Sequence, residues 1–385
     1  MPIVPKIEMR LQNELASLEE KKRKRTLLLP RGIDFTSNDY LGLTYSGEIR
    51  ERIARKISES SIPLGAGGSR LLRGNHTWHE QVEEDFRKFE AAEAALYFTS
   101  GYAANMAVLT ALPTRHDVIL FDERVHASLR EGIHASFASK KSFEHNSLES
   151  LNASASSMTR AGDVFVVIES LYSMDGDEAP IKEIASFCSE NGFILIVDEA
   201  HATGLFGTNG RGLIDENGVR DHVYLSIHPC GKALAGAGAF VCSSETVKSY
   251  LINRARTMIF TTALPPVIPM QISEVLNEIT AHPELRDRVF SNAGFVRKTL
   301  QGNLKRWKIH DGRSPIISLI IGADAEACRV ADALAERGVD VRPIRPPTVA
   351  EGTSRFRLTV NALHAQAELE LLCNSLIEIE KQFID

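Results

Sequence analysis

Short apolar runs alternate with helical stretches through the first two thirds of the chain. The runs that read as strands are residues 94–98, 117–121, 163–168, 193–197, 223–227 and 239–242. Apolar runs of this length, bounded by polar residues or glycine, are typical of strands that are buried on both faces. Their regular alternation with helices predicts a mostly parallel sheet covered by helices, which is an α/β fold.

The two ends of the chain follow other patterns. Residues 6–20 carry a leucine-rich face at helical spacing, so we expect an amphipathic helix, and a short strand near Ile33 follows it. After Pro265-Pro266, helical periodicity runs from 267 to about 304. The elements expected beyond it are strands at 316–321 and 355–360 and helices at 325–336 and 364–383.

These changes of pattern predict the domain organisation. Residues 1–48 would form an N-terminal segment with a helix and a short strand. Residues 49–265 would form a large α/β domain, and residues 266–385 a smaller α+β C-terminal domain. The double proline marks the second boundary because proline interrupts regular backbone hydrogen bonding.

Composition narrows the class of protein. The net charge of the 385 residues is −6, so no global positive field attracts nucleic acid or anionic membranes. No apolar run approaches the roughly 20 residues that span a bilayer, and no membrane association is expected. The five cysteines are scattered, without a Cys-x-x-Cys pair, which indicates a reduced, cytoplasmic protein.

A carboxylate, a histidine and a lysine follow two neighbouring predicted strands. Asp198 and His201 come directly after the run 193–197, and Lys232 lies in a glycine-rich turn after the run 223–227. In open α/β sheets ligands bind at the carboxyl ends of the strands, so these residues reach a common crevice. An acid, a histidine and a lysine suit pyridoxal 5′-phosphate (PLP), whose aldehyde reacts with lysine and whose ring nitrogen pairs with an acid.

Other polar motifs admit more than one interpretation. Ser100 and Gly101 stand at a strand-to-helix turn, where a helix N-terminus either binds a phosphate or is simply capped. Arg355 and Arg357 share one strand face, which is suited either to a carboxylate or to solvent.

The His76 and His79 spacing lacks the features of a zinc pair, and no metal site is predicted. The 64–74 glycine cluster lacks dinucleotide-loop spacing, which opposes a dehydrogenase.

Taken together, the motifs resemble those of the α-oxoamine synthases, a family of PLP-dependent transferases of fold type I. The matching segments span nearly the whole chain: Asn38-Asp-Tyr-Leu-Gly, 65–76, Ser100-Gly-Tyr-Ala-Ala-Asn105, Ser173-Met-Asp-Gly-Asp177, Asp198-Glu-Ala-His201, Gly231-Lys232-Ala-Leu, Ile344-Arg-Pro-Pro-Thr-Val349 and Arg355-Phe-Arg-Leu-Thr359. The glycine-rich and Ile-Arg-Pro-Pro-Thr-Val segments resemble those of one branch of the family. The enzymes of that branch join L-alanine to a pimeloyl thioester, on CoA or a carrier protein, in biotin biosynthesis. The resemblance also implies a homodimer.

The resemblance implies a role for each matching residue around the cofactor ring. Lys232 would hold PLP through its amine and later move the substrate α-proton. Asp198 would keep the pyridine nitrogen protonated, and His201 would hydrogen-bond the phenolic oxygen, with Ser173 nearby. His126 would stack on the opposite ring face.

Further matches concern the phosphate and the substrates. Ser100, Gly101 and Tyr102 occupy the phosphate loop, and Thr262 resembles a phosphate ligand donated by the partner subunit. The matches on the substrate side are Arg357 for the amino-acid carboxylate, Asn38 beside it, and Arg345 at the opening for the acyl thioester.

One position departs from the family pattern. Where the family usually has a phosphate-binding hydroxyl three residues before the lysine, this chain has Pro229, which has neither hydroxyl nor N–H. We expect His228 or a backbone amide such as that of Gly231 to compensate.

Two other functions stay open at this stage. The first is another α-oxoamine synthase, which would use glycine or serine with a different acyl-CoA. The second is a non-catalytic partner subunit of the same fold. Such subunits lack the reactive lysine, whereas this chain keeps Lys232 together with Asp198 and His201.

Overall fold

The computed structural model describes residues 6–21, 23–159 and 161–383. Its helices are α1 (Lys6–Glu20), α2 (Gly47–Ser58), α3 (Thr77–Phe89), α4 (Gly101–Ala111), α5 (Ala127–Ala135), α6 (Leu148–Ser156), α7 (Ile181–Asn191), α8 (Leu213–Glu216), α9 (Glu245–Arg254), α10 (Arg256–Ile259), α11 (Val267–Ala281), α12 (Glu284–Asn303), α13 (Asp324–Glu336) and α14 (Gln366–Lys381). Its strands are β1 (Ile33–Asp34), β2 (Ala94–Phe98), β3 (Val118–Asp122), β4 (Ser139–Phe143), β5 (Val164–Glu169), β6 (Ile194–Asp198), β7 (Leu225–Pro229), β8 (Ala239–Ser243), β9 (Lys308–Ile309), β10 (Ile316–Gly322), β11 (Val339–Asp340), β12 (Pro343–Ile344) and β13 (Ser354–Thr359).

A seven-stranded sheet forms the centre of the molecule, in the order β2-β8-β7-β6-β5-β3-β4. Strands β3 to β7 pair in parallel, and only β8 runs antiparallel to its neighbours β7 and β2. Every residue of β2, β3, β5, β7 and β8 is buried. The mostly parallel α/β sheet predicted from the apolar runs is therefore confirmed.

The edge strand β4 was not predicted, because the prediction looked for apolar runs. Its sequence is Ser-Lys-Lys-Ser-Phe, and four of its five residues are exposed. Edge strands often carry lysine because the charge discourages pairing with another chain, so the hydrophobic signal on which the prediction relied is missing here.

The C-terminal part builds a second sheet, in the order β12-β13-β10-β9. One buried core joins this sheet to α12, α13 and α14. The continuous helix expected from 267 to 304 is broken between α11 and α12 at His282 and Pro283, because proline lacks the N–H that would continue the helix. The short strand β1 pairs in parallel with β11, which ties residues 33–34 to the C-terminal part.

The strands of the large sheet lie within 49–265 and those of the four-stranded sheet within 266–385. The exact domain boundaries stay a prediction. Residues 21–25 form a basic run, Lys-Lys-Arg-Lys-Arg, of which Lys22 lies outside the described residues. No helix in the described ranges has both the length and the apolar character needed to cross a membrane.

The parallel arrangement places the polar strand ends together. Asp122, Glu169 and Asp198 are the last residues of β3, β5 and β6, which are neighbours in the sheet. Lys232 follows the end of β7, on the other side of β6. The carboxyl edge of the sheet therefore carries the crevice that the sequence predicted.

Candidate active site

Two adjoining cavities, of about 330 and 340 Å³, open at this edge of the sheet. The first is lined by the predicted residues Ser100, Gly101, Tyr102, His126, Asp198, His201 and Lys232. The second is lined by the predicted residues Asn38, Ser173 and Arg357 and shares His126, His201 and Lys232 with the first. Ten of the predicted site residues are therefore brought together by the fold.

Thr262 and Arg345 line neither cavity. Thr262 is exposed and forms a backbone bridge with Ser69 in the glycine-rich segment. Arg345 places its Nη1 3.2 Å from Cys328 Sγ, while the adjacent Ile344 reaches the second cavity. Their predicted roles, on the partner subunit and at the thioester opening, stay predictions.

The Lys232 amine sits in an environment that favours its neutral form. Burial lowers the pKa of Lys232 from its usual value, and the charge of Arg357 acts in the same direction. The negative charge of Asp198 opposes this lowering. A neutral amine is the form that attacks an aldehyde, so the site prepares Lys232 as a nucleophile.

Asp198 is a buried carboxylate without a cationic partner. Its Oδ1 accepts a hydrogen bond from the Ala200 amide at 2.9 Å, and its Oδ2 accepts one from the Asn105 amide at 3.0 Å. None of the ion pairs formed by the described residues includes Asp198, although the side chain is almost fully buried. Burying a carboxylate costs free energy unless a cation lies next to it. We therefore expect the Asp198 oxygens to face a positively charged atom of a ligand.

A hydrogen-bond chain connects Asp198 to His126. Asn105 Nδ2 donates to both Asp198 and Ser128 Oγ, the latter at 2.9 Å. Ser128 Oγ lies 2.7 Å from His126 Nδ1, and the Ser128 amide also donates to this nitrogen. His126 Nδ1 is therefore an acceptor, and burial lowers the pKa of the ring so that it stays neutral.

Glu169 supports the same histidine from the backbone side. Its carboxyl accepts a hydrogen bond from the His126 backbone N–H. Burial raises the pKa of Glu169 well above its ordinary value, and the negative charge of Asp198 adds to this effect. Glu169 thus adds little negative charge to the cavity that it lines.

His201 is held by Tyr40, a residue of the Asn38-Asp-Tyr-Leu-Gly motif. Tyr40 places its hydroxyl 2.6 Å from His201 Nδ1, and the two rings meet edge to face. Burial lowers the pKa of His201 well below its ordinary value, and the charges of Lys232 and Arg357 act in the same direction. The ring is neutral and lines both cavities.

The structure corrects the expectation for His228. Its Nδ1 lies 2.8 Å from Thr203 Oγ1 and its Nε2 2.8 Å from Ser226 Oγ, and the ring is fully buried outside both cavities. Neighbouring residues of a strand point to opposite faces, so Pro229 lines the first cavity and His228 faces away from it. His228 cannot replace the missing phosphate hydroxyl, whereas Gly231 does line the cavity.

Four site residues were missed: Tyr40, Asn105, Ser128 and Glu169. Tyr40 and Asn105 stand inside the quoted motifs, and Glu169 is the polar end of a predicted strand. For these three the available signal was therefore their position in a motif or at a strand end, and their roles were hidden because they act on partners that are distant in sequence. Ser128 contacts His126 only two residues away, but it stands in no quoted motif and at no strand end.

The residues present fit PLP. The buried Asp198 carboxylate can pair with a protonated ring nitrogen, and the Lys232 amine, whose pKa burial lowers, suits reaction with the cofactor aldehyde. Ser100, Gly101 and Tyr102 place the N-terminus of α4 at the same cavity, where the helix dipole favours a phosphate. One cavity therefore holds groups suited to the aldehyde, the ring nitrogen and the phosphate of a single cofactor.

Comparison with known proteins agrees with this site. The family Aminotransferase class I and II matches residues 30–376. The 8-amino-7-oxononanoate synthase of Lysinibacillus sphaericus is 35% identical over 386 residues, which covers 97% of this chain and 98% of that protein.

Solved structures agree as well. The serine palmitoyltransferase of S. paucimobilis, with a bound PLP–myriocin aldimine, has a TM-score of 0.89 at 25% identity and covers 97% of both chains. The 8-amino-7-oxononanoate synthase of Francisella tularensis has a TM-score of 0.77 at 29% identity, over 91% of this chain and 98% of that one.

Fold and site define a PLP-dependent enzyme of the class I and II aminotransferases, as the lysine, the aspartate and the parallel sheet predicted. Within this class the sequence relatives decide the branch. The chain belongs to the family of 8-amino-7-oxononanoate synthases, which are acyltransferases of biotin biosynthesis.

Proposed function

We propose that the enzyme condenses L-alanine with a pimeloyl thioester, on CoA or on a carrier protein, to 8-amino-7-oxononanoate. A bond forms between the alanine Cα and the thioester carbonyl carbon, the thiol leaves, and the alanine carboxylate departs as CO₂. The observation that carries the proposal is the joint placement of Lys232, Asp198 and Arg357 around two adjoining cavities in a chain of this family.

PLP supplies an electron sink for the negative charge that develops at Cα. The Asp198 carboxylate keeps the ring nitrogen protonated, and its own hydrogen bonds from Ala200 and Asn105 hold both oxygens in place. The Lys232 amine, whose pKa burial lowers, takes the proton from Cα and later returns one. His126 lines the same cavity.

Arg357 is the proposed anchor for the alanine carboxylate. It lines the second cavity together with Asn38, and none of the ion pairs formed by the described residues includes it. A guanidinium binds a carboxylate through two parallel hydrogen bonds, which fix the rotation of the amino acid about its N–Cα bond. That rotation decides which bond at Cα is broken.

The acyl thioester would reach the second cavity from the β12 side. Ile344 and Arg342 line the cavity there, and Arg345 follows next in the chain. The guanidinium of Arg342 is already paired with Asp340, with Nε 2.8 Å from Oδ1. This side therefore offers one apolar group and two basic groups to a long acyl donor.

We also propose that the enzyme works as a homodimer. Helix α1 buries no residue in this chain, and its apolar residues Ile7, Met9, Leu11, Leu15 and Leu18 are 41–56% exposed. Phe260, Leu71 and Leu72 are exposed around Thr262 and its bridge to Ser69. A partner subunit that covers this surface would receive Thr262 at its phosphate site, and Thr262→Ala should then weaken PLP binding.

The cytoplasm is the proposed location. All five cysteines are free, and Cys188, Cys230, Cys242 and Cys373 are buried as thiols. Free thiols are the usual state in a reducing compartment.

A sister activity with L-serine is the second candidate, because the serine palmitoyltransferase structure has a TM-score of 0.89 against 0.77 for the 8-amino-7-oxononanoate synthase structure. The sequence relatives favour the alanine reaction, since their identity is 33–38% against 25% for that structure.

The deciding experiment incubates the purified, PLP-loaded enzyme with pimeloyl-CoA and, in separate reactions, L-alanine, glycine or L-serine. Mass spectrometry then identifies the product. We expect 8-amino-7-oxononanoate with alanine and at least tenfold slower turnover with the other two amino acids. Preferred turnover of serine or glycine would assign the enzyme to a sister activity.

A further inference from the structure

Tyr40 connects two site residues that come from distant parts of the chain. Its hydroxyl lies 2.6 Å from His201 Nδ1 and 3.3 Å from Arg357 Nη2. A longer contact of 3.3 Å leads to Asn38 Oδ1. The Tyr40 side chain is fully buried, so bulk water does not compete for these bonds.

The chemistry of the three groups sets the direction of the hydrogen bonds. A guanidinium has only N–H donors, so Arg357 donates to the Tyr40 oxygen. The Tyr40 hydroxyl has two acceptors within reach, His201 Nδ1 at 2.6 Å and Asn38 Oδ1 at 3.3 Å, and the nearer one makes the stronger hydrogen bond. Tyr40 therefore donates its single hydrogen to His201 Nδ1.

This direction determines the tautomer of His201. The ring is neutral and carries one hydrogen. Because Nδ1 accepts from Tyr40, that hydrogen is on Nε2. His201 lines both cavities, so Nε2–H is the donor that the ring offers to a ligand.

We propose that Tyr40 is a positioning residue that holds His201 in the Nε2–H tautomer and couples this tautomer to the guanidinium of Arg357. The inference rests on the proposed function, since it takes His201 to face the cofactor and Arg357 to bind the amino-acid carboxylate. A carboxylate bound to Arg357 competes for its N–H groups and weakens the bond to Tyr40. Amino-acid binding thereby changes the hydrogen bond that His201 offers to the cofactor oxygen.

The primary test reads the tautomer directly. Full-length, PLP-loaded wild type, Tyr40→Phe and Tyr172→Phe are labelled with ¹⁵N-histidine and compared by long-range ¹H–¹⁵N NMR, with His201→Gln to assign the signals. Tyr172 is the matched control because it is also buried but contacts His145 instead of His201. We expect Nε2–H for His201 in the wild type and in Tyr172→Phe, and Nδ1–H or a mixture of tautomers in Tyr40→Phe.

A second readout separates positioning from a general structural defect. With alanine and pimeloyl-CoA, Tyr40→Phe should lower kcat about 10- to 100-fold, the range known for losing a group that orients a metal-bound histidine. The KM for pimeloyl-CoA should stay within threefold, and Tyr172→Phe should change neither constant.

Either of two results would overturn the inference. One is Nδ1–H on His201 in the wild type, which needs no variant to fold. The other is an unchanged Nε2–H signal in a folded Tyr40→Phe protein. Because the NMR measurement needs no turnover, it decides about Tyr40 even if alanine proves to be the wrong substrate.

Discussion

Arg355 and Arg357 lie on the same face of β13, yet only Arg355 is neutralised by a carboxylate. Arg355 pairs with Asp175, which Arg124 also contacts at 2.9 Å. Arg357 instead donates to the Ser173 carbonyl and, at 3.1 Å, to Thr359 Oγ1. The sequence left open whether both arginines bind a carboxylate, and the structure leaves the charge of Arg357 available for one.

This difference predicts the effects of two matched substitutions. Arg357→Gln should weaken L-alanine binding about 10- to 100-fold, the value of a charge-assisted hydrogen bond of roughly 1.5–3 kcal/mol, and leave PLP binding nearly unchanged. Alanine titration of the visible absorbance of the bound cofactor measures the affinity. Arg355→Gln is the control and should keep the alanine affinity. Equal loss of PLP and alanine in Arg357→Gln would make Arg357 a structural residue.

Lys232 should be the attachment point of the cofactor. Borohydride reduction of the PLP-loaded wild type should fix the cofactor to the peptide that contains Lys232, whereas Lys232→Ala should fold but retain no reducible cofactor. Lys248→Ala serves as the control, because Lys248 is paired with Glu83 at 3.2 Å outside the site. Peptide mapping by mass spectrometry reads the result, and a label elsewhere in the wild type would refute the assignment.

The contact of Gly101 with Pro229 should limit which side chains the start of α4 accepts. A Cβ added at Gly101 would lie 2.8 Å from Pro229 Cγ, whereas a Cβ at Gly47 would meet nothing within 4 Å. Each glycine follows a serine N-cap, at the start of α4 and α2. We expect Gly101→Ala to lower stability by about 1–3 kcal/mol through overpacking and to reduce PLP retention.

Gly47→Ala is the matched control and should be neutral or stabilising by about 0.4–1 kcal/mol, because alanine loses less backbone entropy on folding. Thermal unfolding and equilibrium dialysis of PLP measure both effects. Similar behaviour of the two variants would show that Pro229 does not confine this helix start.

His145 should make stability depend on pH. Burial disfavours its protonated form, but hydrogen bonds to Asp122 and Asp177 outweigh burial and raise its pKa to about 9. Its Nδ1 lies 3.0 Å from Asp122 Oδ1 and its Nε2 2.6 Å from Asp177 Oδ2. The folded pKa exceeds the ordinary value, so the contribution is complete below about pH 6.5 and is lost as the pH rises through about 9.

The free energy of unfolding of wild type and His145→Gln should therefore differ by on the order of 2 kcal/mol at pH 6 and converge above pH 9. Urea unfolding at a series of pH values measures this. His282→Gln is the control, since His282 is 44% exposed and its ion pair with Glu284 is screened by solvent. A constant difference between wild type and His145→Gln across this range would exclude the linkage.

Much of the central fold was predictable because its signals are local. A strand buried on both faces must be apolar along its whole length, so β2, β3, β5, β6 and β8 were recognisable within a residue or two at each end. The strand β4 was not recognisable, since its exposed lysines carry no hydrophobic signal. The break at Pro283 was visible in the sequence but was outweighed by the helical periodicity on both sides.

By itself, the sequence determined the kinds of chemistry: a lysine after one strand, an aspartate and a histidine after its neighbour, and a strand with two arginines. The lysine, the aspartate and the histidine could be found because the carboxyl ends of parallel strands meet at one edge of the sheet. Only the tertiary structure decided their environments. Tyr40 reaches His201 across 161 residues and Arg355 reaches Asp175 across 180. Charge and tautomer depend on such contacts, because a buried group takes its protonation state from the neighbours that packing places around it.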